Sequence, residues 1–177
     1  RHVPDSLRNA HAVTYPGCNP DLHQHYVDVA ARGENAIRGF VSGLKGKLAE
    51  FHARDILHDR FPGFNFELAA DPTNPVWDLH GISADGSELF VQVKLGAASY
   101  VSDITHRMLE DPDTHFAVGH EIYASIMAHH PELASQLVDL DISNLDFTHE
   151  VHHNLALLAE NHGIDVPDSV GDFLPYI

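Results

Sequence analysis

The sequence predicts an α/β domain in which a helix, three strands, a second helix and a fourth strand are followed by further helices. Three observations carry this. Apolar residues recur at helical steps after Asn35, strict alternation begins at Phe64, and the helix–strand–helix pattern resumes after residue 99.

Residues 1–35 hold Pro4, Pro16, Gly17, Pro20 and Gly33 and little periodicity, so they are expected to form an irregular arm with one short helix near 21–31. From Asn35, Ile37, Val41, Leu44, Leu48 and Phe51 fall on one helical face, and Pro62-Gly63 ends the helix. Gly39, Gly43 and Gly46 weaken that helix but let another backbone approach it closely. Phe64, Phe66 and Leu68 alternate with polar residues as a first strand. "ADPTNP" is a loop, and residues 76–82 and 88–95 are the second and third strands. Ser99 or Ser102 caps a helix running to about Leu109, with Val101, Ile104 and Met108 inward. "THFAVG" is a fourth strand and "EIYASIMAHH" the helix after it. Pro131 suits the first turn of a short helix. Residues 148–162 give the last helix, with Val151, Leu155 and Leu158 on one side and Gly163 beyond its end.

With 177 residues and 44% hydrophobic content, the chain can bury one ordinary core. It begins with Arg1, as a piece of a longer protein would. No apolar run approaches the roughly 20 residues a membrane helix needs, so no membrane contact is expected of this stretch. Cys18 is the single cysteine, which excludes an internal disulfide and makes a reducing cytoplasm the default expectation. The net charge of −16 is unevenly spread: residues 1–60 hold eight of the ten Lys and Arg, whereas residues 108–177 hold thirteen acids and neither Lys nor Arg. That balance argues against sequence-blind DNA binding over the whole surface. Arg32, Arg38, Lys45, Lys47, Arg54 and Arg60, spread over residues 32–60, are the place where DNA phosphates would be met. The acidic C-terminal third is a solvated face or the contact surface of a protein partner.

The hairpin "WDLHGISADGSELFVQVKLG" carries the chemistry. In its second half Leu89, Val91, Val93 and Leu95 point one way, so Phe90, Gln92 and Lys94 point the other. A two-residue turn at Asp85-Gly86 puts Asp78 out of phase with Gln92; a three-residue loop, Ala84-Asp85-Gly86 with Gly86 left-handed, pairs the two. The second register is expected, and it converges Asp78, Gln92 and Lys94 on one face. A carboxylate, an amide oxygen and the Val93 carbonyl suit a hard divalent cation. A lysine beside them can orient or help deprotonate a water and offset charge on a phosphate. The plainer alternative is that Asp78 satisfies a buried backbone donor or pairs with Lys94.

A helix, three strands with Asp78 on the second and Gln92-Val93-Lys94 ("QVK") on the third, then a helix and a strand, resembles the PD-(D/E)XK nuclease superfamily. The Gln-x-Lys form is similar to the Mrr-type restriction-endonuclease branch. The likeness covers about residues 36–127, where "FAVGHEIY" sits at the branch's fourth strand and following helix. It implies a restriction-endonuclease-like α/β core (α-β-β-β-α-β, a small mixed sheet flanked by helices) over 36–127, an arm at 1–35 and an acidic helical extension at 128–177. It implies metal-dependent phosphodiester hydrolysis on DNA with Mg²⁺ or Mn²⁺. Asp78 would be a metal ligand, Gln92 would take the second acidic position, Lys94 would be the catalytic lysine, and Glu50 would be the acid some members place near the metal. Two residues depart from the pattern: Trp77 stands where the Pro is expected, and Gln92 brings no charge. The alternative is a catalytically inactive module of the same fold that serves a protein partner or a structural role in a larger chain.

Other chemistries find less support. His23-x-His25, His129-His130, His152-His153 and the i, i+4 pair His149/His153 invite zinc, but no cysteine or strict His/Glu arrangement joins them. There is no Gly-x-Ser-x-Gly elbow and no phosphate-cradling Gly-x-x-x-x-Gly-Lys-(Ser/Thr), and Cys18 lies in the turn-like "YPGCNP".

Overall fold

The computed structural model describes residues 5–17, 21–70, 77–96 and 98–162, so Cys18, the loop at 71–76 with Val76, and Gly163 lie outside the described residues. The chain divides into two compact units, residues 49–144 and residues 1–48 with 145–177.

The 49–144 unit is a mixed α/β layer structure. The C-terminal part of helix α3 (Glu34–Arg60) leads into β1 (Phe64–Leu68), β2 (Leu79–Ser83) and β3 (Glu88–Lys94). Helix α4 (Val101–Glu110), β4 (Thr114–Val118), α5 (His120–His129) and β5 (Leu137–Asp139) follow. The five strands lie in chain order, β1-β2-β3-β4-β5. The first three form an antiparallel meander, and β3, β4 and β5 run parallel. Parallel neighbours need crossovers, and α4 and α5 supply them. Helices therefore cover both sides of the sheet. Ala53 and Leu57 of α3 pack with Phe66, Leu79, Val91, Ala117 and Val138 on one side. Ile104 and Met108 of α4 and Ile122 and Ile126 of α5 pack with Phe116, Val118 and Leu137 on the other.

The hairpin has the register that the three-residue loop requires. Leu79 pairs with Val91, His80 with Phe90 and Ile82 with Glu88. Ser83 N–H donates to Ser87 O at 2.9 Å, Gly86 N–H donates to Ser83 O at 3.1 Å, and Gly86 takes φ +86°. The Asp85 carboxylate accepts from Ser83 Oγ and from the Ser87 amide, which holds its pKa at about 2. Glycine is equally deliberate at Gly81, which pairs with Phe66: a Cβ there would stand 2.6 Å from the Phe66 ring.

The other unit is helical: α1 (Asp5–Thr14), α2 (Leu22–Ala31), the first part of α3, and most of α6 (Asn144–His162). Asp21 caps α2 by accepting from the His23 and Gln24 amides. Its core includes Leu7, Leu22, Tyr26, Val29, Ile37, Phe40, Val41 and Leu44. The Phe40 ring lies against those of His11, Tyr15, His25 and Tyr26. Gly43 makes room for a side chain rather than a backbone, since a Cβ would meet the Tyr15 hydroxyl at 2.7 Å. Helix α1 lies where the sequence suggested irregular chain. Leu7, Ala10 and His11 are its buried residues, too short a stripe to stand out by period.

No described helix is long and apolar enough to cross a membrane.

Candidate functional site

Asp78 is fixed by its own backbone before β2 begins. Its N–H donates to Val91 O at 2.9 Å, and its C=O accepts from Ala69 N–H at 2.8 Å. Its N–H thus faces β3 while its C=O faces β1, so Asp78 stands with Leu79 across from Val91, as in a β-bulge, and the expected pairing with Gln92 is not continued past Leu79. Its carboxylate Oδ2 accepts the Val93 amide hydrogen at 2.7 Å. The two loose ends of the hairpin are thereby tied where strand pairing stops.

Val91 is fully buried and Val93 packs beside it on the α3 side of the sheet. By alternation Gln92 and Lys94 point to the other side, and each is half-buried. They stand in register with Phe116 and Val118 of β4. In an extended strand the N–H and C=O of one residue face the same edge. Val93 donates toward Asp78, so its carbonyl also faces the β2 side, while Lys94 O faces β4 and accepts Gly119 N–H at 3.3 Å. The geometry thus joins Asp78 to Val93 and sets Gln92 and Lys94 on the same stretch of strand. Among the described residues none forms an ion pair with Lys94.

Glu50 is half-buried on α3, three and seven residues before Ala53 and Leu57. It shares their helix face, which packs on the opposite side of the sheet from Gln92 and Lys94. The basic stretch is not continuous at the surface either. Lys45 and Lys47 are buried, with 3% and 8% of their surface exposed. Arg32, Arg38, Arg54 and Arg60 are exposed, and Arg54 and Arg60 lie over the rings of Phe51 and Phe61.

Three of the histidines singled out for zinc are engaged locally. His129 Nδ1 lies 2.9 Å from Ser125 O, and His130 Nδ1 lies 3.1 Å from Glu132. His25 turns inward to His11.

A second cluster escaped the sequence reading. His120 Nδ1 lies 2.9 Å from Asp139 Oδ2, and ligand atoms of His120, Asp139 and Asp141 all fall within 4.8 Å of one another. The hydrogen bond to Asp139 and that carboxylate's charge raise the His120 pKa above 6.5. Asp139 Oδ1 accepts the Asp141 amide at 2.8 Å, and Asp141 takes φ 56°. These three residues could hold a divalent cation. The two carboxylates also stand where α5 begins, and a helix N-terminus favours anions without any ion present. Lys94 is in register with Val118, and Val118 with Asp139, across three adjacent parallel strands. Two strand spacings put the Lys94 and Asp139 backbones about 10 Å apart. The only hint in the sequence was Asp-x-Asp beginning at the last residue of a three-residue strand too short to read by period.

A wider cleft of about 520 Å³ runs along α4 and α5, lined by Ser102, Thr105, His106, Ser125 and His129 among others, with no residue of the hairpin.

No family model matches this chain, and neither a curated protein nor a solved structure matches it.

Proposed function

We propose that the 49–144 unit hydrolyses phosphodiester bonds in DNA with a divalent cation, Mg²⁺ or Mn²⁺. The observation that carries this reading is the bond from the Val93 amide to the Asp78 carboxylate, which brings that carboxylate to the residue between Gln92 and Lys94. The element order supports it. A helix, an antiparallel β1-β2-β3 meander, α4 and a β4 parallel to β3 follow the pattern of a restriction-endonuclease-like core.

The donor chemistry fits a hard cation. A carboxylate offers several acceptor positions, and the Val93 carbonyl and the Gln92 amide would add neutral oxygens. When bound, the cation supplies Lewis acidity toward the phosphoryl oxygens. Lys94 orients the attacking water and offsets charge growing on the phosphate. The exposed Arg54 and Arg60 of α3 meet flanking phosphates.

The reading from another class is an inactive module of this fold whose acidic C-terminal third meets a protein partner. The observations favouring it are the burial of Lys45 and Lys47 and a site with a single carboxylate.

Mn²⁺ titration followed by amide NMR tests where a cation binds. Broadening centred on Asp78, Gln92 and Val93 is expected. Broadening confined to His120, Asp139 and Asp141 would move the cation off the hairpin and remove the basis of the proposal.

A further inference from the structure

His11 of α1 and His25 of α2 are 1% and 7% exposed, and His11 Nε2 lies 2.8 Å from His25 Nδ1. One ring donates an N–H and the other accepts it. Around them sit the rings of Tyr15 and Phe40, with His25 edge-on to both. This contact holds α1, α2 and the 34–48 part of α3 together at one point.

We propose that the His11–His25 pair is an acid-operated latch, which keeps α1 and α2 packed on the first part of α3 while its rings are neutral and releases them when both are protonated. The chemistry is that of a single shared hydrogen. One added proton on an outer nitrogen leaves the N–H···N bond intact. A second leaves an N–H on each facing nitrogen, so an attractive contact at 2.8 Å becomes a repulsion between two buried cations.

The surroundings reinforce this. Burial lowers the pKa of both rings below 6.5. His25 further lowers His11 and Arg32 further lowers His25, while Asp21 acts on His11 and Asp28 on His25 in the opposite sense. From α3 the facing group is the Phe40 ring, which does not titrate. A folded-state pKa below the unfolded value means that the unfolded segment takes up the protons. The stabilisation is therefore present above about pH 6.5 and is lost as pH falls below it. Release would uncover Ile37, Phe40, Val41 and Leu44, all buried at present.

Hydrogen exchange of the full chain between pH 7.5 and 5, corrected for intrinsic rates, reads the latch. Protection of α1 and α2 amides is expected to fall at least about tenfold per pH unit at the acid end. His11→Gln and His25→Gln, which keep a hydrogen-bonding side chain but do not titrate there, should each flatten that slope and leave that of the β3 and β4 amides unchanged. Protection of α1 and α2 that ignores pH, or a slope that neither substitution changes, would overturn the proposal. Side-chain NMR of the native chain decides the matter if a variant does not fold: both rings must titrate below pH 6.5, and titration of either at or above that value refutes the latch.

Discussion

The Asp78 carboxylate accepts the Val93 amide hydrogen at 2.7 Å, across the end of the β2–β3 hairpin. Strand pairing alone leaves that amide without a ladder partner, because β2 begins at Leu79. The carboxylate fills the gap and is itself fixed in place. In the proposed nuclease the structural and functional roles of Asp78 would be superposed: the bond that satisfies a backbone donor also holds the carboxylate beside Val93.

That superposition separates two substitutions. Asp78→Ala leaves the half-buried Val93 amide without its acceptor and should cost about 1–3 kcal/mol in urea unfolding. Asp78→Asn keeps an acceptor oxygen and should cost clearly less. Equal losses in the two variants would show that the bond contributes little to the hairpin.

Gly81→Ala tests the core above the same hairpin. The new methyl would meet the Phe66 ring at 2.6 Å, and Phe66 is packed among Ala53, Leu57 and Leu79 with 5% exposure. The ring cannot swing aside at small cost, so about 1–3 kcal/mol should be lost. Thermal or urea unfolding would measure it, and a neutral result would mean that the ring can move.

His115 and His120 should respond to pH with opposite signs. Burial, with Arg60 nearby, lowers His115, so its stabilising contribution is present above about pH 6.5 and fades as pH falls. Asp139 raises His120, so its contribution is complete below pH 6.5 and is lost as pH rises through the folded-state pKa. Side-chain NMR should find His120 titrating above 6.5 and His115 below it, and Asp139→Asn should return His120 toward 6.5.

The hairpin was legible in the sequence because Asp85-Gly86, period-two alternation and turn length together leave few registers. The 49–144 unit was legible in outline for a similar reason: each parallel strand is separated from the next by a helix with its own apolar period. Beta-5 was not, since Leu137–Asp139 is too short to show alternation, and with it went the approach of Asp139 and Asp141 to His120. The burial of Lys45 and Lys47 was hidden as well. Three glycines blur the α3 face, and a lysine spacing reads alike whether neighbours or water surround it.

Cleavage of supercoiled plasmid and of single-stranded DNA in Mg²⁺ or Mn²⁺, by the native chain, Asp78→Asn and Lys94→Ala, is the most direct test of a nuclease built on this hairpin. The account predicts metal-dependent nicking by the native chain that each substitution reduces at least about tenfold, with folding intact by circular dichroism. Equal background in all three folded proteins would contradict it.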